Sequence, residues 1–366
     1  MRTTVILSLA LAACGPQLLD EEDADGTDLS GESLESLQTL RPPKQGPFGA
    51  DPHAIVDGDT LHVYTTSHHG LNIPHFSGAS PTDLGSLGAP TEALPNAERG
   101  DRLAAGVWAP TVRRAGDHFA MWYSGGLQGT DDKCLWRAVS DRPEGPFRRV
   151  GQGNPICPDP HWNIDPYLVR TGTGFWLYAK VSGKLQRRQL ERDGLTFAAR
   201  SSWAVVLGGT EAWEQGQTQN VPLVENPAPV RLAKPDGSQR WLLFYASNSW
   251  ATRDYATGYA DCGNGTQPGA CVKESKAKPW LSRHDAIAPR GPGGAAFFNH
   301  GGKAYMILHG WANPCNLAGD TCHSKDPGCP AGGENNDCRF ENPGGRSLYL
   351  YRVGLNANGN PVAQPL

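Results

Sequence analysis

The stretch ADPHAIVDGDTLHVYTTS, residues 50–67, decides how this 366-residue chain reads. It opens on a carboxylate before proline, Asp51-Pro52, and continues through an apolar run holding Ala54 and Val56. Asp57-Gly58-Asp59 then makes a polar turn, and Leu61-His62-Val63-Tyr64 follows as an aromatic strand. Two strands joined by a glycine turn make a hairpin. The same grammar recurs in WAPTVRRAGDHFAMWYSG from Trp108, IDPYLVRTGTGFWLYAK from Ile164, ENPAPVRLAKPDGSQRWLLFYAS from Glu225 and GPGGAAFFNHGGKAYMILHGW from Gly291. Anchored on Pro52, Pro110, Pro166, Pro227 and Pro292, the intervals are 58, 56, 61 and 65 residues. A near-constant period of this length, filled with strands, points to a propeller.

Each unit also holds a third strand and an outer strand, as in Leu135–Val139 and, near the end, Ser347–Val353. Helical periodicity is almost missing after Gln45. The predicted fold is all-β, a five-bladed β-propeller with four-stranded blades around a central channel. The inner strand of a blade runs along that channel and starts at one mouth. Proline fixes φ and lacks an N–H, so it marks the start of such a strand and not its middle. Asp51 and Asp165 stand directly before proline and Glu225 two residues before Pro227, so all three are expected at equivalent points around one funnel. Three acids converging on one pocket suggest glycoside hydrolysis.

The first residues stand apart. Arg2 and the apolar run from Val5 to Ala13 read as a signal peptide over residues 1–13, too short to span a bilayer as a mature helix. Leu11-Ala12-Ala13-Cys14-Gly15 resembles a bacterial lipobox, with Cys14 as the lipidation site. Residues 14–45 read as an acidic, disordered tether, with eight acids between Asp20 and Glu35 and no aromatic residue. The chain is then expected to be exported and lipid-anchored to the cell envelope, or secreted, and Gly15 after Cys14 favours the outer membrane. Residues 46–366 form the single propeller domain.

The tether also explains the net charge of -4. Without residues 1–40, 32 basic residues face 29 acidic ones, so the folded part is near neutral and no nucleic-acid surface is expected. Setting Cys14 aside, eight cysteines remain, which in an oxidising compartment implies disulfides. Cys134 and Cys157 share a unit, and Cys262 and Cys271 bracket a glycine-rich loop. Cys315, Cys322, Cys329 and Cys338 share one insertion, and their spacing leaves the pairing open. A zinc site there with His323 is disfavoured, because the spacing lacks short C-x2-C pairs. Gly291-Pro292-Gly293-Gly294 precedes no helix or Lys-Ser/Thr and is not a phosphate loop.

Ala50-Asp51-Pro52, Asn72-Ile73-Pro74, Trp108-Ala109-Pro110, Ile164-Asp165-Pro166, Glu225-Asn226-Pro227 and Gly291-Pro292-Gly293, in this order at blade spacing, resemble glycoside hydrolase family 43, the five-bladed arabinan- and xylan-acting enzymes. The resemblance runs from about residue 47 to the end. It implies an inverting mechanism with Asp51 as general base, Glu225 as general acid and Asp165 setting the acid's pKa and orientation. Inversion needs two carboxyl groups about 6.5–9.5 Å apart, with room for a water. A third carboxylate nearby raises a neighbour's pKa by like-charge repulsion.

Trp108, in register with the pocket, is a candidate for stacking on substrate. His53 is expected to point into its blade, and His68 and His69 to lie on a surface loop. Two positions depart from the family pattern. Gly294 stands where the family often has histidine, leaving His284, His300 and His309 as substitutes, and Asn226 replaces a small residue. No cofactor or metal ligand is expected to be required, though the resemblance leaves room for a structural calcium ion in the channel. Two other readings remain. One is a retaining, invertase-like glycosidase, disfavoured because Ala50 and Ile164 precede the acids. The other is a carbohydrate-binding propeller without catalysis.

Overall fold

The computed structural model describes residues 44–68, 70–96, 103–151, 154–172, 174–216, 221–311 and 345–366. The signal peptide, Cys14, nearly all of the tether, His69, and Cys315, Cys322, Cys329 and Cys338 with His323 lie outside the described residues.

Five four-stranded antiparallel sheets make up the fold, each from consecutive strands. Blade one holds β1 (His53–Asp57), β2 (Thr60–Tyr64), β3 (Pro74–Gly78) and β4 (Thr91–Glu92). Blade two holds β5 (Leu103–Ala115), β6 (His118–Leu127), β7 (Lys133–Ser140) and β8 (Arg148–Arg149). Blade three holds β9 (Asn163–Thr171), β10 (Gly174–Val181), β11 (Lys184–Leu190) and β12 (Ala204–Leu207). Blade four holds β13 (Glu225–Ala233), β14 (Gln239–Ser247), β15 (Ala256–Asp261) and β16 (Val272–Lys273). Blade five holds β17 (Arg290–His300), β18 (Lys303–Trp311), β19 (Arg346–Leu355) and β20 (Pro361–Pro365). The expected propeller is thus observed.

The hairpins follow the turn chemistry read in the sequence. Gly301 and Gly302, at φ +57 and +70, join β17 to β18 in the left-handed region that a two-residue hairpin turn requires. The ring is closed by residues 46–49, which lie along the start of β19. Gly46 N–H donates to the Leu348 carbonyl at 2.8 Å, and Leu348 N–H returns to the Pro47 carbonyl at 3.0 Å. One strand of the fifth blade is thereby tied to the chain entering the first, which leaves no free seam. Between blades the core is aromatic: Phe244 of blade four meets Phe297 of blade five at 4.9 Å and Trp280 at 5.0 Å. Buried Trp122 and Trp241 satisfy their indole N–H on the Gly194 and Gly265 carbonyls. The disulfides Cys134–Cys157 and Cys262–Cys271 are formed, as the cysteine count implied.

Five histidines are buried in this scaffold: His53, His62, His68, His75 and His309. Burial lowers the pKa of four of them, His53, His62, His75 and His309. Arg113 adds to the effect at His53 and Arg346 at His309, and His75, beside His62, is pushed down to about 3. Between about pH 6.5 and the folded values the unfolded chain therefore binds more protons than the native one. Their contribution is full above the unfolded pKa and declines as pH falls below it, by up to about 1.4 kcal/mol per pH unit for each histidine. Buried Asp165 acts in the opposite sense, one group against four. The urea midpoint is expected to drop clearly between pH 7.5 and pH 5. An unchanged midpoint would contradict this account.

Candidate active site

One backbone device builds the mouth of the channel. Asp51, Ala109, Asp165 and Asn226 have φ of +47, +45, +57 and +50, and Gly294 has +60. These positions are 58, 56, 61 and 68 residues apart, one per blade. In blades two to five the positive-φ residue and the one after it form a β-bulge, as between Trp108↔Ser124 and Thr111↔Trp122. A bulge with its first residue left-handed re-aims a side chain and frees the next N–H from the ladder. That is why Pro110, Pro166 and Pro227 are tolerated there, whereas Pro52 directly precedes β1. Left-handed non-glycine residues cost on the order of 1 kcal/mol each and cluster at functional sites.

Two corrections to the expected register follow. The fifth anchor is Gly294-Ala295, not Pro292, because β17 carries two register shifts. Glu225 is not equivalent to Asp51 and Asp165. It precedes the left-handed residue of its blade, Asn226, by one, as Trp108 precedes Ala109. The structure still brings the three acids together, since Asp165 feels the charges of both Glu225 and Asp51.

The residue one past the position facing the bulge reaches toward the next blade, from the second strand in blades two, three and five and from just beyond β2 in blade one. These residues are Thr66, Ser124, Lys180 and His309, each fifteen positions after the left-handed residue of its own blade. The Thr66 hydroxyl donates to Asp51 Oδ2 at 2.7 Å and accepts the Ala109 N–H at 3.0 Å. Ser124 Oγ accepts the Asp165 N–H at 2.9 Å. Lys180 Nζ lies 3.0 Å from Glu225 Oε2. His309 Nδ1 accepts the Asp51 N–H at 2.9 Å. That bond assigns the ring proton to Nε2, so Arg346 Nη1, 3.4 Å from Nε2, is a packing neighbour and not a donor to it. Arg346 Nη1 also stands 3.8 Å from Asp51 Oδ1.

Tyr255 links the base side to the acid side. Its hydroxyl donates to Glu225 Oε1 at 2.8 Å and accepts from Asn226 Nδ2 at 2.9 Å. Its ring stacks on His309 with centroids 5.7 Å apart and planes 5° apart. Both rings need the glycines of blade five. A Cβ at Gly293 would fall 2.1 Å from the Tyr255 ring, and one at Gly294 would fall 2.7 Å from His309 Nδ1. The absent histidine at 294 is thus matched by an imidazole from across the hairpin, and His309 is selected over His284 and His300. Asn226, the other departure, donates its N–H to Asp165 Oδ2 at 3.1 Å and its amide to Tyr255.

Asp165 is buried, and its carboxyl is pushed well above the usual range, first by burial and then by Glu225 and Asp51; Lys180 opposes the shift. Three carboxyl groups face two cations here, Lys180 beside Glu225 and Arg346 beside Asp51. Below them the channel is lined by His53, Pro166 and Tyr167. His53 therefore faces the axis and not its blade, and His68 is buried against Phe76 instead of lying on a surface loop. The donor set does not fit a directly ligated cation. His309 Nδ1 is committed to Asp51, and among the described residues no three His, Cys, Asp or Glu side chains converge on a metal position. Trp108 is half-buried beside Trp162, with centroids 6.0 Å apart.

Comparison with known proteins agrees with this geometry. The model of glycosyl hydrolases family 43 matches residues 43–335. A thermostable family-43 glycoside hydrolase superposes with a TM-score of 0.64 at 18% identity, covering 92% of this chain and 96% of its own. An endo-1,4-beta-xylanase from Bacteroides thetaiotaomicron gives 0.62 at 21% identity, covering 90% and 97%. An alpha-L-arabinanase from Cellvibrio cellulosa, complexed with arabinohexaose, gives 0.59 at 16% identity, covering 88% and 96%. No match was found among curated proteins. With a family match over most of its length and five blades bringing three acids to one mouth, the chain belongs to glycosyl hydrolases family 43 and is a glycoside hydrolase.

Proposed function

We infer that this enzyme hydrolyses arabinofuranosyl or xylosyl linkages of plant-type polysaccharide with inversion at the anomeric carbon. The observation that carries the reading is the set of three carboxyl groups held at one propeller mouth, where burial and the neighbouring Glu225 and Asp51 charges raise the Asp165 carboxyl. Asp51 takes a proton from water as its oxygen attacks the anomeric carbon. Glu225 gives a proton to the departing glycosidic oxygen, and the C–O bond breaks. Asp51 ends protonated and Glu225 ionised, and solvent restores both. Thr66 fixes the Asp51 carboxylate, and Lys180 stabilises the carboxylate left on Glu225. Similarity to proteins described as an arabinanase and as a xylan beta-1,4-xylosidase supports the substrate class.

The test is hydrolysis of arabinan, arabinoxylan and aryl arabinofuranosides and xylosides, with product anomers followed by NMR. Turnover with inverted product is expected. Binding without turnover on any substrate would leave a carbohydrate-binding propeller, and retained configuration would indicate a covalent intermediate. We also place the enzyme outside the cytoplasm on a lipid at Cys14. Loss of detergent-phase partitioning in Cys14→Ser checks that.

Lys180 offers a separate check. The alkaline limb of the kcat/KM profile reports loss of the proton shared by the coupled carboxyl groups. Lys180 is the cation that opposes the raised pKa of Asp165, so Lys180→Met is expected to move that limb to higher pH. A limb that stays in place or moves lower would remove Lys180 from the proton balance.

A further inference from the structure

Trp162 is 45% exposed, yet the loop that carries it is pinned from several sides. The Cys134–Cys157 disulfide ties the start of the loop to β7. Buried Asn163 donates to the Lys133 carbonyl at 3.1 Å and the Asp159 carbonyl at 2.8 Å, and accepts the Asp159 N–H at 2.9 Å. The Ser182 hydroxyl donates to Asp159 Oδ2, and Lys133 N–H donates to the His161 carbonyl at 3.2 Å. An exposed indole gains nothing for stability from such bracing. Bracing of this kind suits a surface that must be in place before a ligand arrives.

The chemistry beside it is specific. Lys133 is buried, with its ammonium 4.5 Å from the centre of the Trp108 ring and 5.9 Å from that of Trp162. Among the described residues it meets these two indole faces and no carboxylate. The arrangement is an apolar ring face next to a cationic donor whose hydrogens have no acceptor among the described residues. A sugar ring is its complement, with axial C–H bonds for the indole and hydroxyl oxygens for the ammonium. Trp162 lies three residues before Asp165, and Trp108 stands directly before the left-handed residue of blade two, so the pair borders the mouth that holds the acids.

We propose that Trp162 and Lys133, backed by Trp108, form a second sugar subsite that binds a unit of the glycan chain beyond the one being cleaved. The proposal rests on the glycosidase reading above. It makes this enzyme one that prefers chains, with Trp162 setting the preference. The experiment uses the full chain carrying Glu225→Gln, so that ligands bind without turnover. Isothermal calorimetry compares xylohexaose and arabinohexaose with nitrophenyl xyloside and arabinofuranoside, before and after adding Trp162→Ala or Lys133→Met. Loss of Trp162 is expected to weaken hexaose binding about tenfold or more and leave the single-sugar glycosides unchanged. Lys133→Met should weaken hexaose binding in the same selective way. Unchanged hexaose affinity in Trp162→Ala, with the parent still binding, overturns the subsite alone. No glycan bound by the parent overturns the subsite and the hydrolase reading together. Because Trp162 is exposed and its loop is held by other residues, an unchanged melting temperature is expected and confirms that the fold is kept.

Discussion

Asp51→Asn is expected to lower kcat by roughly 10²–10⁴-fold on every substrate, whereas Glu225→Gln does so only where the leaving group is poor. The difference follows from what each carboxyl does. Water must lose a proton to attack whatever the leaving group, so the base is needed throughout. An alcohol must be protonated to depart, whereas a dinitrophenolate leaves unaided, so the acid is dispensable there. The variants suit the backbone. Asp51 sits at φ +47, a region asparagine tolerates better than other non-glycine residues, and its side-chain oxygen still accepts from Thr66. Glutamine at 225 keeps one acceptor for Tyr255 or Lys180. The check is kcat on dinitrophenyl and alkyl glycosides side by side, with circular dichroism to show that the fold persists. Equal losses in both variants on both substrate types would mean that the two acids do not divide the work in this way. A fully active Asp51→Asn would remove the base from the mechanism.

The fold was legible because each blade repeats a hairpin whose turn, aromatic strand and opening proline lie close together in sequence. Pro110, Pro166 and Pro227 mark true bulges, and Pro52 marks the equivalent point before β1. Gly291-Pro292-Gly293 misled because its proline lies in the first of two bulges in β17, and only the strand's register shows the second, Gly294-Ala295, to be the match. The acids could be named from the opening motifs, but their supports could not be named from those motifs alone. Lys180 and His309 belong to second strands and Thr66 lies just past one, and they act on acids in their own or the next blade. A signal for them did exist. Four hairpins share the same length, so Thr66, Ser124, Lys180 and His309 fall at one fixed offset from the left-handed position. Blade four has a longer turn, through Pro235-Asp236-Gly237, and breaks the pattern. Tyr255 and Arg346 carried no such signal, since they arrive from a loop and from the strand that closes the ring. His53 was placed wrongly for a simpler reason. Alternation along a strand says which residues share a face, and the channel face was taken for the blade face.

Replacing Glu214 by alanine is expected to destabilise the protein by about 3–5 kcal/mol, a drop in melting temperature on the order of 10 °C, and to impair catalysis as well. Glu214 is fully buried in the segment that leads from blade three into β13. One carboxylate oxygen accepts the Thr210 N–H at 2.7 Å, the Glu211 N–H at 2.9 Å and the ammonium of buried Lys273. The other accepts the Tyr245 hydroxyl at 2.8 Å. Burial, and the Glu214 charge after it, push the Tyr245 phenol upward, so it stays a donor. Truncation would leave Lys273 charged and without its carboxylate, together with two backbone donors and a phenol lacking their acceptor. Removing one partner of a buried pair costs more than removing both. Glu214→Leu with Lys273→Met should therefore recover a good part of the loss, although the orphaned backbone N–H groups keep it below the parent. The effect on catalysis follows from position. The Glu214 carbonyl accepts the Leu223 N–H at 3.0 Å, the Ser247 hydroxyl holds the Leu223 carbonyl at 2.7 Å, and Glu225 follows two residues later. A loosened Glu214 segment would let the acid drift, lowering kcat most on substrates that need protonation. Thermal melts of the two single variants and the double variant form the cycle that checks this. Additive losses, or an unchanged melt for Glu214→Ala, would show that the pair contributes nothing as a pair.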